Sequence, residues 1–275
     1  MTEKRMFLYL CEMQKIKCFV LISALTITCY LLPIICNAQD TTTLITIAKK
    51  DSIKPKRYFV GAIGGYSHLL GNLAEQVYVD PKSGFVNPNG YNAGIEGVYF
   101  LTERFGFNGL LSFSSHYVSQ IGLDSLAVGY QRDYNSDSAK VGTNTRYNFF
   151  NLLAGPYYSL PLKNKKTSID FRLLSGFTYI RTAELNMVII NACVPHPFAQ
   201  NVSKGVALAA QGGIALRHSL GKNVCVKLSA DCYYSNPNIK INNSNTPTGV
   251  REITNYHQPI ITLHFSFGIY YKFGL

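Results

Sequence analysis

From residue 57 to the carboxy terminus this chain is a series of segments, several of which alternate between apolar and small or polar side chains. In the last segment Ile261, Leu263, Phe265, Phe267, Ile269, Tyr271 and Phe273 fall on one face, and Thr262, His264, Ser266, Gly268 and Lys272 on the other. A period of two belongs to an extended strand whose two faces meet different surroundings. The pattern recurs where Phe105, Phe107, Leu111, Phe113 and Tyr117 oppose Gly106, Asn108, Ser112, Ser114 and His116. It recurs again with Phe171, Leu173, Phe177 and Tyr179 against Asp170, Arg172, Gly176 and Thr178, and with Val224, Val226, Leu228 and Ala230 against Lys227, Ser229 and Asp231. Turn residues divide the region into strands near 57–68, 91–101, 105–118, 146–160, 167–181, 206–218, 223–235 and 259–273. The first and fourth alternate too poorly to assign a facing.

One apolar face fits either a soluble sandwich or barrel, with that face inside, or a transmembrane barrel, with that face toward lipid. Three features favour the membrane. The connections at Thr102–Arg104, Pro161–Lys166 and Ser219–Lys222 are tight, whereas those at 69–90, 119–145, 182–205 and 236–258 are long. That alternation is the pattern of short periplasmic turns and long extracellular loops, and long structureless loops are uncommon in compact soluble domains. The strands exceed the usual soluble length of about 5–6 residues and suit tilted bilayer spans. Aromatics also gather toward strand ends, among them Tyr58, Tyr66, Tyr91, Tyr99, Tyr117, Tyr147, Tyr157, Tyr158, Tyr179, Tyr233, Tyr234, Tyr270 and Tyr271, as in the girdles at headgroup level. The predicted fold is all-β: an eight-stranded antiparallel up-and-down transmembrane β-barrel over 57–275.

Composition fits this reading. Only 15% of residues are charged although 47% are hydrophobic, against about 25% charged in soluble domains. Disorder needs the opposite balance. One segment alone approaches the length of a spanning helix, and it sits at the start: Lys15 and Lys17 precede the apolar run Cys18–Cys36, followed by Asn37, Ala38 and Gln39. A basic region, an apolar run and a small residue form a secretory signal peptide, expected over 1–38, with a polar linker over 39–56; Met13 is a second possible start. Removing 1–38 leaves 22 basic and 13 acidic residues, lowering the net charge from +11 to +9. It also leaves three cysteines, Cys193, Cys225 and Cys232, too few and too irregular for a disulfide framework or zinc site. No metal or cofactor is expected, and export with scattered bases argues against nucleic acid.

The ending Gly268-Ile269-Tyr270-Tyr271-Lys272-Phe273 resembles the carboxy-terminal signal by which outer-membrane barrels engage their insertion machinery, which would give Gly268, Tyr271 and Phe273 that role; two further residues follow the Phe. Val60–Tyr66, V-G-A-I-G-G-Y, is similar to the Gly-rich opening strand of the PorT-like outer-membrane β-barrel family. The chain as a whole resembles OmpA-like eight-stranded barrels without a periplasmic domain. The resemblance implies fold and a location in the outer membrane of a Gram-negative bacterium.

Eight strands enclose a space that side chains fill. By parity the interior should hold Glu96, Asp170, Arg172, Arg217, Lys227, Asp231 and Lys272, near charge balance and able to pair as a buried polar network. The expected role is structural or interactive, without enzymatic activity. Outer-membrane lipid surrounds such a barrel, and a protein partner could meet the long loops, where Asp80–Asn89 and Asn236–Gly249 are rich in Asn, Pro, Ser and Gly. Two alternatives stand beside it. His264 and Ser266 share a face and resemble the His-x-Ser pair of outer-membrane lipid A deacylases, although Phe267 follows where that family has Asn. The other is a soluble periplasmic β-barrel binding protein.

Overall fold

The computed structural model describes residues 58–75, 85–163, 166–244 and 252–273, with the side chains of 241–244 and 252–254 excepted. The expected signal peptide over 1–38 and linker over 39–56 lie outside the described residues. In chain order the elements are β1 (Tyr58–Leu70), β2 (Val86–Phe100), β3 (Phe105–Val118), α1 (Gln120–Asp133), β4 (Ser138–Gly142), β5 (Arg146–Pro161), β6 (Thr167–Arg181), β7 (Leu185–Asn191), β8 (Val194–Gln200), β9 (Lys204–Ser219), β10 (Val224–Ser235), β11 (Asn238–Ser244), β12 (Glu252–His257) and β13 (Ile260–Phe273). A short 3-10 turn, Asn72–Ala74, follows β1.

Eight strands close into an antiparallel barrel in the order β1-β2-β3-β5-β6-β9-β10-β13, with β13 returning to β1 from Tyr58↔Phe273 to Leu70↔Ile261. These are the eight segments expected from the alternation, several of them longer at the end carrying the long connections. The first and fourth barrel strands also alternate. Phe59, Ile63, Ser67 and Leu69 point inward from β1, and Tyr147, Phe149, Asn151, Leu153, Tyr157 and Ser159 from β5. Large apolar residues on both of their faces had hidden that periodicity.

The polarity of the barrel is inside out. Glu96, Asp170, Arg172, Lys227 and Asp231 are buried, whereas the row Leu111, Leu152, Phe177 and Leu208, opposite one another on β3, β5, β6 and β9, is between 56% and 73% exposed. Tyr147, Tyr157, Tyr233 and Tyr270 correct the girdle expectation, since all four face inward and are buried. In the pairs Tyr157-Tyr158, Tyr233-Tyr234 and Tyr270-Tyr271, parity sends one ring in and the other out.

The largest departure concerns the long connections, expected to be display loops. Strands β4, β7, β8, β11 and β12 form a second sheet in the order β12-β11-β8-β7-β4. Each adjoins a barrel strand in sequence, and this order repeats β13-β10-β9-β6-β5, so five barrel strands continue past the rim as a wall. The breaks contain Pro237 and Pro259, which cannot donate to a ladder. Helix α1 packs beside β4, with Gly122, Leu123, Leu126 and Gly129 buried. The rings of Tyr130 and Tyr134 meet Phe198 of β8 with centroids 5.6 and 5.9 Å apart. Together with Leu73, Phe85, Met187 and Ile189 these side chains form an apolar cap, continuous with Leu69, Ile180 and Ile260 at the upper ends of barrel strands. Of the segments read as display surface, Val86–Asn89 begins β2 and Asn238–Ser244 is β11; residues 80–84 and 245–249 lie outside the described residues.

Truncating the ring at the centre of this cap tests its independence. Phe198→Ala should remove about 3–5 kcal/mol of local stability. Limited proteolysis should then cut within 120–133 and 185–200 while the barrel strands stay protected.

Candidate functional site

The lower half of the lumen, on the side of the tight turns, holds an ion cluster built from strand parity and register. Glu96 enters from β2 and meets Lys227 of β10, whose Nζ donates to both carboxylate oxygens at 2.6 and 2.5 Å. Arg172 of β6 places Nη1 2.7 Å from Glu96 Oε1. The same Arg172 donates through Nε and Nη2 to Asp231 of β10 at 2.7 and 2.5 Å. Asn108 Nδ2 and the Tyr270 hydroxyl complete the Glu96 shell at 2.8 and 2.5 Å.

A second group adjoins it. Asp170 accepts from Tyr157 at 2.5 Å, Ser159 at 2.6 Å and Arg217 Nε at 2.8 Å. Arg217 lies over Phe59 at 5.1 Å, and Lys227 over the Tyr270 ring at 4.9 Å. Three carboxylates face three cations, each paired with at least one charge of opposite sign. A buried charge is tolerated when it is paired, and the rings of Phe59, Tyr157 and Tyr270 wall these pairs.

Of the seven residues expected in the lumen, the structure brings six together: Glu96, Asp170, Arg172, Arg217, Lys227 and Asp231. Lys272 stands apart at the lower rim, where its ammonium donates to the Ser219 hydroxyl. Tyr157, Tyr270, Asn108 and Ser159 are site residues that the sequence reading did not assign. The alternation in β3 puts Asn108 on the correct face, and parity counted through the Tyr-Tyr pairs points to the two rings.

Gly213 sits between the halves of the Arg172–Asp231 pair, opposite Arg172 on one side and Asp231 on the other. A Cβ at this position would overlap the Asp231 carboxylate, so the bidentate pair requires a glycine beneath it. Gly213→Ala should lower stability by about 1–3 kcal/mol. Gly109→Ala, where a Cβ meets open space, should stay within about 0.5 kcal/mol. The urea dependence of the folded, fast-migrating gel band measures both.

Above the ions the lumen is polar but uncharged. Asn92 Nδ2 donates to Ser266 Oγ at 3.1 Å, Thr178 Oγ1 to Asn151 Oδ1 at 2.7 Å, and Ser67 Oγ and His116 Nε2 lie 3.0 Å apart. This arrangement bears on the His264/Ser266 alternative. Both residues are buried in the lumen. The Ser266 hydroxyl pairs with Asn92, while His264 stacks on Tyr233 and its Nε2 has no hydrogen-bond partner among the described residues. The pair therefore does not form the imidazole–hydroxyl couple that a nucleophilic hydrolase needs.

At the carboxy-terminal end, Gly268 lies beneath the Tyr270 ring, 2.6 Å from where its Cβ would stand. Tyr271 and Phe273 face outward, and Phe273 stacks on Tyr58 across the β1–β13 closure at 5.5 Å.

Fold and lumen together define a class: closed eight-stranded up-and-down barrels with an apolar exterior and a polar, side-chain-filled interior. Among solved structures the chain is similar to Ail, the attachment invasion locus protein of Yersinia pestis, at 14% identity over 79% of this chain and 99% of that one, TM-score 0.39. It is similar also to a major outer membrane protein from Thermus thermophilus, at 11% identity over 78% and 99%, TM-score 0.44. The outer membrane protein OprG from Pseudomonas aeruginosa is a third, at 10% identity over 80% and 97%, TM-score 0.39. No family model and no curated protein matches the chain.

Proposed function

We propose that this protein is an integral β-barrel of the outer membrane of a Gram-negative bacterium, with a structural or interaction role at the cell surface and no enzymatic activity. The observation that carries the reading is the inverted polarity. Paired charges fill the lumen, while a continuous band of exposed leucine, isoleucine and phenylalanine surrounds it. A soluble barrel would need the reverse, because water on that band forfeits about 25 cal/mol per Å² of apolar surface.

On this reading the tight turns face the periplasm and the wall and helix α1 face outward. The folded cap is the surface available to a protein partner, and outer-membrane lipid surrounds the strands. Tyr271 and Phe273, with Gly268, serve the insertion machinery. Membership of the PorT-like family rests on the resemblance of Val60–Tyr66. The packed lumen and the His264–Ser266 geometry support a non-conducting, non-hydrolytic role.

Fractionation of whole cells tests the proposal. The protein should stay in the membrane pellet through alkaline and urea washes, dissolve only with detergent, and migrate faster unboiled than boiled. Release into the wash would favour the soluble periplasmic alternative.

A further inference from the structure

Three cations crown the outward face where the apolar band ends. Arg181 of β6 and Lys204 of β9 stand directly opposite in register, both exposed. Like charges in that position repel. The Lys240 backbone N–H donates to Ser203 Oγ at 2.9 Å, which brings a third exposed cation beside Lys204. Arg146 of β5 lies on the same outward face but turns the other way, its guanidinium 3.6 Å above the Tyr117 ring of β3 and donating to the Tyr117 and Tyr91 hydroxyls.

Among the described residues none of Arg181, Lys204 and Lys240 forms an ion pair. Directly below, on the same columns, come Tyr179 and Phe177 on β6 and Val206 and Leu208 on β9. Unpaired cations gathered above an aromatic and apolar band match the height at which a bilayer presents its phosphates.

We propose that Arg181, Lys204 and Lys240 form a binding site for the phosphorylated headgroup of a lipid in the outer leaflet. The planar fork of Arg181 suits bidentate contact with phosphate oxygens, and the two lysines add positive charge beside it. The site deepens the membrane reading and rests on it. Its position at the end of the lipid-facing columns favours a lipid over free phosphate.

The test uses the full chain purified in detergent, with retention measured by native mass spectrometry. The probes are an acylated glucosamine disaccharide carrying phosphates, the same lipid without phosphate, and inorganic phosphate as competitor. The phosphorylated lipid should be retained, and salt should weaken it. The double variant R181Q/K204Q should hold it about thirtyfold less well, with its unboiled gel shift intact, whereas R181K/K204R should keep it. Equal retention of the phosphate-free lipid, unchanged binding by R181Q/K204Q, or displacement by equimolar inorganic phosphate would each overturn the site. A chain that carries no detergent belt, measured by light scattering before any lipid is added, overturns the membrane reading itself and the site with it. A belt without selective retention overturns the site alone.

Discussion

Glu96→Gln is expected to destabilise the barrel by about 3–5 kcal/mol, the range for removing one partner of a buried ion pair. Glu96 touches two cations, Lys227 at 2.5 Å and Arg172 at 2.7 Å. Its neutral replacement would leave an excess positive charge in a lumen walled by Phe59, Tyr157 and Tyr270. Asp231 still holds Arg172, so the loss falls chiefly on Lys227, which among the described residues has no other carboxylate as hydrogen-bond acceptor. The double variant E96Q/K227M restores the balance, leaving Asp170 and Asp231 against Arg217 and Arg172. It should recover most of the loss, since an ion pair replaced as a unit is often neutral. Urea titration of the heat-modifiable band in lipid vesicles measures all three proteins. A single variant as stable as the parent would show that the cluster does not close the lumen by charge pairing.

The second large effect lies on the opposite face. Leu152 is 63% exposed in the middle of β5, with Leu111 and Phe177 beside it in the same outward row. In water, Leu152→Arg would be a surface change worth within about 0.5 kcal/mol. In a bilayer the same change should cost about 2–4 kcal/mol near the midplane. Leu220 is similarly exposed, at 65%, but lies in the tight turn after β9. Leu220→Arg should therefore be nearly silent in both environments. Folding yields into vesicles for the two variants separate the environments, because exposure alone does not distinguish the positions.

The closed barrel was legible because its signal is repeated. In β3, β6, β10 and β13 the period of two places each side chain in or out without reference to any neighbour. Facing in β1 and β5 was not legible, since Phe59, Ile63, Phe149, Leu153 and Tyr157 point into the lumen and erase the contrast between faces. The wall was hidden for a different reason. β8 contains Pro195 and Pro197, which argue locally against a strand, yet among the described residues its pairs with β11 fall at Ala199 and Gln200, beyond both prolines. The described pairs on that side therefore need neither missing N–H group. Helix α1 has Gly122 and Gly129 where a helix would favour other residues. Gly122 is explained by Phe85, which leaves no room for a Cβ, a contact between residues 37 positions apart. In the lumen, parity found which charges point inward. The pairing of Glu96 with Lys227, 131 residues away, depends on the register of barrel closure, which no single segment encodes.

On the membrane reading the exposed apolar face meets hydrocarbon, and the charged face is kept from water. Single cysteines at Leu111, Leu152, Leu173 and Leu228, with Cys193, Cys225 and Cys232 replaced by alanine, can carry spin labels in lipid vesicles. On the membrane reading all four positions collide frequently with dissolved oxygen and little with a water-soluble metal chelate. Ready access of the chelate to them would place that face in water and overturn the reading.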